Sequence, residues 1–185
     1  METIMRNDGE VIHVLLGDDD TAHAMAVAQK RFDYYGGDNY RGAEFQEDKF
    51  DLALHRIGAA SELATARALN IEWTGDITRD VGPYEVKAVT EPHHRLFIPK
   101  KDRHRHSPTF QHRVYISVEN AAQHKSRFLK DWTVRGWAYA GEFYGKDEYL
   151  DHMLNEQRDP VYAIPNKLLR PMSTLPTIET GHRPT

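Results

Sequence analysis

The chain has 185 residues, enough for one ordinary globular domain and too few for two independent cores of typical size. Its apolar fraction is 39%, and no run approaches the roughly 18 uninterrupted apolar residues of a membrane span, so a membrane-embedded protein is excluded. Cysteine is absent, which excludes disulfides and thiolate metal sites, and the formal net charge of -4 disfavours a uniformly basic nucleic-acid binder.

The N-terminal third predicts one strand and one helix. Residues 10–16, EVIHVLL, are typical of a short strand, and GDDDT after them is a turn in which Asp20 or Thr21 can cap a helix over about 22–35. A 3.6-residue period predicts the apolar face of that helix to be Ala22, Met25, Ala26, Ala28 or Gln29, and Phe32. We interpret residues 1–47 as a strand–helix elaboration packed on the core.

The strongest helical pattern runs from about Asp48 to Leu69, where apolar and small residues recur at steps of three and four, with Asn70 at the C-cap position. The period then changes to two over 84–89, as in a strand with two unlike faces.

Further strands are predicted at 95–98, 113–118 and 132–143, followed by a short helix at 148–154. The order of elements predicts an α/β fold, with a small central mixed sheet that contains 84–89 and these three strands and is covered by helix 48–69. The core is expected to span 48–172. The proline-rich, polar residues 173–185 are expected to be disordered.

Charge is distributed unevenly along the chain. Residues 1–51 carry 12 acidic and 5 basic side chains, and residues 52–185 carry 16 acidic and 19 basic ones. A basic strip, set against the single acid Asp102, consists of Arg95, Lys100, Lys101, Arg103, Arg105 and Arg113. Lys100, Lys101, Arg103 and Arg105 are the predicted contacts to nucleic-acid phosphates, although a solvated basic loop is the commoner explanation of such a run.

Four residues form the candidate catalytic constellation. Glu85 and Lys87 are two apart in a strand and therefore share a face, and Asp80 lies upstream across a turn-like Val-Gly-Pro segment. Glu62 lies at the border of the apolar stripe of helix 48–69, where a carboxylate needs a partner. Carboxylates that hold Mg²⁺ or Mn²⁺, with a lysine beside them, suit phosphodiester hydrolysis; a structural ion-pair cluster is the alternative. The histidine pairs lack the pattern of a closed zinc site.

The segment GAASELATARAL followed by DVGPYEVK resembles the glutamate-bearing helix and the D…E-x-K hairpin of PD-(D/E)XK, or restriction-endonuclease-like, nucleases. The resemblance assigns the helix acid to Glu62, the metal-binding acids to Asp80 and Glu85, and the catalytic lysine to Lys87. It also implies that the carbonyl of Val86 completes the metal shell. Residues 10–172 further resemble small bacteriophage and metagenome members, including an R-G-W strand at 135–137 and a final L-R-P-M.

The resemblance implies a metal-dependent deoxyribonuclease that acts on duplex or branched DNA in the host cytoplasm, with a homodimer compatible with the sequence. The start of the chain lacks the features of a secretory signal, which also favours the cytoplasm. Only four residues separate Asp80 from Glu85, so Asp76 is the substitute acid if Asp80 points away. The alternative function is a non-catalytic nucleic-acid-binding, regulatory or structural module on the same fold.

Overall fold

A computed structural model describes residues 1–34, 48–76, 80–91, 93–100, 110–122, 129–151 and 160–177. Its helices are α1 (Asp18–Tyr34), α2 (Asp48–Leu69) and α3 (Ala140–Phe143). Its strands are β1 (Ile4–Asn7), β2 (Ile12–Leu15), β3 (Glu85–Val89), β4 (Leu96–Pro99), β5 (Val114–Asn120), β6 (Asp131–Tyr139), β7 (Leu150–Asp151) and β8 (Val161–Ile164).

The central element is a mixed five-stranded sheet in the order β1-β2-β6-β5-β3, in which only β3 and β5 are parallel. One face of this sheet packs on α1 and α2 through a core that includes Leu16, Leu63, Ile116 and Trp132. A three-stranded antiparallel sheet, β4-β8-β7, covers part of the opposite face through a second core. The fold is therefore mixed α/β with a central mixed sheet, as the sequence predicts at that level. None of the described helices combines the length and apolarity needed to cross a membrane.

Helix α2 has the predicted bounds, and its end has a clear physical cause. Asn70 adopts a left-handed conformation with φ of 52°, its N–H donates to Arg67 O, and the N–H of Ile71 donates to Ala66 O. This pair of bonds is the Schellman motif, in which an asparagine or glycine in the left-handed region satisfies the last carbonyls.

Helix α1 begins earlier than predicted and presents a different face. It starts at Asp18, so three aspartates lie in its first turn, at the positive end of the helix dipole, rather than in a preceding cap. The buried residues are Ala24, Val27, Ala28 and Arg31. The predicted apolar face was correct for Ala28, which is buried, and for Met25, which packs on the core, and wrong for Ala22, Ala26 and Gln29, which are exposed.

The N-terminal segment also contributes more than one strand. β2 pairs antiparallel with β6 and extends the central sheet, and β1, which the sequence did not predict, forms the outer edge.

Two strand predictions were wrong. Segment 95–98, observed as β4, joins the three-stranded sheet rather than the central one, because parallel strands need a crossover connection and β4 lies in the connection from β3 to β5. Residues 140–143 form helix α3 rather than strand, because β6 ends where its partner does, at the pair Val114 and Tyr139.

The C-terminal predictions also need correction. Within 148–154, Tyr149 belongs to a 3₁₀ turn and Leu150 and Asp151 form β7, so the described part of that segment is not α-helical; residues 152–159 lie outside the described residues. Residues 173–177 were predicted as the start of a disordered tail, but this segment packs on the protein. Leu175 packs on the helix-side core, and Pro176 O accepts a hydrogen bond from Tyr84 Oη at 2.7 Å.

The R-G-W and L-R-P-M segments lie against each other. Gly136, with a positive φ of 158°, sits beside an irregularity in the pairing of β6 with β5, and the backbone of Trp137 exchanges two hydrogen bonds with that of Arg170. The indole of Trp137 donates to Pro171 O at 3.2 Å, and the guanidinium of Arg170 lies 4.9 Å from its ring centroid. These segments therefore fasten the C-terminal part of the chain to the sheet, a structural role.

Candidate active site

Glu62 is held inside the protein by a cation from the neighbouring helix. It lies on α2 with 6% of its surface exposed, and Arg31 of α1 donates to its two carboxylate oxygens, each at 2.7 Å. The indole N–H of Trp73 donates to Glu62 Oε2 at 3.1 Å, and Arg31 also donates to Asp76 O at 2.8 Å. The sequence correctly placed this carboxylate at a buried border that requires a partner. The observed partner is a guanidinium.

Burial raises the pKa of Glu62 above its ordinary value of 4.5, and the Arg31 guanidinium offsets part of that rise. The carboxylate of Asp80 contributes to the rise because it repels the ionised Glu62. Glu62 and Asp80 are therefore electrostatic neighbours although they come from different elements.

Asp80 is brought to the open edge of β3 by a tight turn. Val81 and Tyr84 exchange two backbone hydrogen bonds around Gly82, whose φ of 54° suits glycine, and Pro83. The turn reverses the chain so that Asp80 Oδ2 accepts the backbone N–H of Val86 at 2.7 Å. Asp76, the substitute acid, is exposed, and its carbonyl accepts a hydrogen bond from Arg31.

The bond from Val86 to Asp80 fixes which groups face this edge. The N–H and C=O of one strand residue point to the same side, so the carbonyl of Val86 points toward the Asp80 side and away from β5. β3 is the last strand of the central sheet, and within the described residues no further strand pairs with that edge. Asp80 and the Val86 carbonyl therefore present oxygens at one place.

The pKa of Asp80 is raised chiefly by burial and also by the nearby charge of Glu85, whereas Lys87 and Arg31 lower it. Asp80 also raises the pKa of Glu62, so its charge is felt by the helix acid as well as by the residues of β3.

Glu85 and Lys87 share a sheet face, as predicted from their spacing. Val86 between them enters the helix-side core, so the two charged residues face the opposite side, with Tyr115 of β5. Lys87 Nζ lies 3.7 Å from Glu85 Oε2 and 5.8 Å from the centroid of the Tyr115 ring. The other oxygen of Glu85 accepts a hydrogen bond from the guanidinium of Arg113.

The oxygen donors near Asp80 differ in how well they suit a hard divalent cation. Among the described residues, no group of three carboxylate or histidine side chains is close enough to form a ready metal site. Both oxygens of Glu62 are engaged by Arg31, so this residue does not fit as a direct ligand. Asp80, Glu85 and the Val86 carbonyl fit better, because all three offer oxygen ligands and the charge of Glu85 raises the pKa of Asp80, although one oxygen of Glu85 is bonded to Arg113.

Two cations of this cluster, Arg31 and Arg113, were not predicted as partners of the acids. Arg31 follows Ala24, Val27 and Ala28 on the buried face of α1 at helical spacing. A cation at that position indicates that a buried acid faces it, and this could have been inferred from the sequence. Arg113 was assigned to the basic strip, but its side chain lies against Glu85. No local pattern identifies that contact, because the parallel pairing of β3 and β5 creates it.

The predicted DNA contacts are described only in part. Lys100 follows β4 and is exposed, with its carbonyl accepting a hydrogen bond from Tyr144 Oη at 2.7 Å. Lys101, Arg103 and Arg105 lie outside the described residues.

Comparisons of the chain with protein-family models, with curated proteins and with solved structures found no match.

Proposed function

We propose that the chain is a divalent-metal-dependent deoxyribonuclease of the PD-(D/E)XK type, phage-encoded and active in the bacterial cytoplasm. The observation that carries the proposal is the position of Asp80. Its carboxylate sits at the edge of β3, bonded to the Val86 N–H, and is near enough to Glu62, Glu85 and Lys87 for the charges to influence pKa values across the group. Residues separated along the chain and named for one chemistry therefore lie in one part of the fold.

Asp80, Glu85 and the Val86 carbonyl would hold Mg²⁺ or Mn²⁺, with Glu62 acting through water. When bound, such an ion polarises a phosphate and lowers the pKa of a coordinated water. Asp80 is suited to the task because a partly buried carboxylate with a raised pKa is a perturbed group of the kind that functional sites contain.

Lys87 would act on the reacting phosphate. Its side chain is about one-third exposed, so the ammonium can reach a substrate, while Glu85 and the Tyr115 ring limit its directions. A positioned ammonium can orient the attacking water and offset the negative charge that develops on phosphorus.

The substrate would be duplex or branched DNA, bound through its phosphates by Lys100, Lys101, Arg103 and Arg105 of the basic strip. The exposure of Lys100 supports this role. If the active form is a homodimer, it should cut both strands of a duplex, and paired cuts would be the evidence for it.

The test is the substitution Lys87→Ala. If Lys87 acts on the transition state, single-turnover cleavage of labelled duplex and branched DNA should fall by a factor of about 100 or more, while Mn²⁺ and DNA affinity stay close to wild type. Lys146→Ala is the matched control, because Lys146 Nζ also lies over an aromatic ring, at 5.9 Å from the Phe143 centroid, and the carboxylate whose pKa it lowers is that of Glu142. Melting temperature is recorded for each variant.

The second candidate function is a non-catalytic nucleic-acid-binding module. One observation favours it: Glu62 and Glu85 are each paired with an arginine, as in a structural ion-pair cluster. In that case neither wild type nor variant cleaves any substrate with Mg²⁺ or Mn²⁺, and Lys87→Ala lowers the melting temperature. Equal cleavage by wild type and Lys87→Ala would remove the catalytic role of Lys87.

A further inference from the structure

Arg113 is placed beside the candidate site by the fold. Its backbone N–H donates to Phe110 O at 3.0 Å, and its carbonyl accepts the N–H of Ala140 at 2.8 Å, so the main chain is fixed immediately before β5. The parallel register aligns Glu85 with Tyr115, which puts Arg113 next to Glu85 on the same face. The guanidinium bonds to Glu85 Oε1, and 22% of the Arg113 side chain is exposed.

The guanidinium of Arg113 is only partly used. Its Nε is buried and has no hydrogen-bond partner among the described residues. A buried donor without a partner is unfavourable by about 1–3 kcal/mol in typical proteins, so the observed pairing does not exhaust what this side chain can bind. Guanidinium presents five donors in a planar fork that matches the oxygens of a phosphate.

The charges of the cluster balance without any bound ion. Three carboxylates face three cationic side chains: Glu62, Asp80 and Glu85 with Arg31, Lys87 and Arg113. A divalent ion added to this set leaves an excess of two positive charges in a site that is largely buried. A phosphodiester would offset part of that excess, so ion and DNA should favour each other's binding.

Glu85 is the point of competition. One of its oxygens bonds to Arg113, and the other lies near Lys87. An ion that takes Glu85 Oε1, or both oxygens of Glu85, would displace Arg113, and the freed guanidinium would then be available to a phosphate. Arg31 cannot play this part, because it is bonded to both oxygens of Glu62 and to Asp76 O in the interior.

We infer that Arg113 is an exchange ligand of the site: it neutralises Glu85 while no ion is bound, and it moves to a DNA phosphate when a divalent ion takes Glu85. This inference rests on the proposed function and adds a mode of regulation to it. Without DNA, a divalent ion has to compete with the Arg113 guanidinium for Glu85. With DNA bound, a phosphate provides Arg113 with another partner.

The experiment uses the full chain and two titrations. Mn²⁺ binding without DNA is measured by calorimetry for wild type, Arg113→Gln and Arg135→Gln. The affinity for a labelled 20-base-pair duplex is then measured by fluorescence anisotropy at 4 °C, in chelator and in Mn²⁺, with electrophoresis confirming that the duplex is intact. Arg135 is the matched control, because it forms a comparably buried ion pair with Glu119 of the same sheet.

Arg113→Gln should bind Mn²⁺ about tenfold or more tightly than wild type, because the competing cation is gone, and Mn²⁺ should improve its DNA affinity by a smaller factor than in wild type. Arg135→Gln should match wild type in both titrations. Arg113→Lys keeps the positive charge but not the planar fork of donors, so its Mn²⁺ affinity should lie between those of wild type and Arg113→Gln. The same variant replaces Arg113→Gln in the experiment if Arg113→Gln does not fold.

Three results would overturn the inference in distinguishable ways. Unchanged or weaker Mn²⁺ binding by Arg113→Gln, with a wild type that binds Mn²⁺ and cleaves DNA, removes the exchange role and leaves the proposed function intact. An equal gain in DNA affinity from Mn²⁺ in wild type and Arg113→Gln removes the movement to phosphate. No Mn²⁺ binding by either protein, with or without DNA, removes the proposed function itself.

Discussion

Replacing Arg31 by methionine tests whether Glu62 is a buried charge that depends on one partner. The side chains of Arg31 and Glu62 are only 10% and 8% exposed, and two hydrogen bonds of 2.7 Å join them. Methionine keeps most of the length and volume of the arginine stem. The substitution therefore removes the counter-charge with little change in packing.

The loss of stability in Arg31→Met is limited because the Glu62 carboxylate can take up a proton. Without Arg31 the raised pKa of Glu62 rises further, and at pH 7 the carboxyl avoids an unpaired charge by binding a proton. For a group whose ordinary pKa is 4.5, that proton costs at most about 3.4 kcal/mol at pH 7, since each pH unit corresponds to about 1.4 kcal/mol. Loss of the bond to Asp76 O adds about 1 kcal/mol. We therefore expect a loss of no more than about 4.4 kcal/mol, which lies within the range typical of a broken buried pair.

The stability lost in Arg31→Met should depend on pH in a definite direction. A carboxyl whose pKa is raised by folding contributes stability below its unfolded pKa, and that contribution is lost as the pH rises through the folded pKa. Because the pKa of Glu62 is raised in the wild type as well, the deficit of Arg31→Met should be small at low pH and grow only once the pH passes the wild-type folded pKa, by up to about 1.4 kcal/mol per pH unit until it levels off. The double variant Arg31→Met with Glu62→Gln should recover most of the deficit at pH 7, because no charge remains and the amide can still accept from Trp73.

Urea unfolding at pH 5, 6, 7 and 8 measures these values. The matched control is Arg67→Met, which breaks the exposed pair between Arg67 and Asp20, also between α2 and α1, and should lose less than about 1 kcal/mol. A loss at pH 7 below that of the control would refute the buried-charge account of Glu62. So would a deficit that is the same at pH 5 and pH 8.

Three further predictions concern other residues. Asp80→Asn should stabilise the metal-free protein by about 1 kcal/mol at pH 7, because burial raises the Asp80 pKa and an amide can still accept from Val86; urea titrations at pH 4 and pH 7 should show the gain only at the higher pH. Asn70→Ala should lower stability by about 1 kcal/mol in thermal unfolding, whereas Asn70→Gly should not, since the φ of 52° is strained for alanine alone. If the basic strip binds DNA, replacing Lys100, Lys101, Arg103 and Arg105 by glutamine should flatten the slope of log affinity against log salt by up to about 3.6; an unchanged slope would place the contact surface elsewhere.

Local patterns in the sequence determined the long helix and its end. The steps of three and four from Asp48 to Leu69, with Asn70 after them, specify where the helix ends, because each signal acts within a few residues. The same holds for the face shared by Glu85 and Lys87, since alternation is a property of any extended strand. The sequence also required a partner for Glu62, because an acid beside an apolar stripe cannot be left unpaired.

Only the tertiary structure decided which partner each acid has and how the strands are ordered. Arg31 reaches Glu62 across 31 positions of sequence and Arg113 reaches Glu85 across 28, through helix packing in one case and parallel strand pairing in the other. The tertiary arrangement also decides that β4 lies outside the central sheet. β4 belongs to the connection between the parallel strands β3 and β5, and such a connection has to cross a face of the sheet. Such contacts depend on the whole arrangement of helices and strands, whereas the periodicity of a segment reports only the side of that segment that is buried.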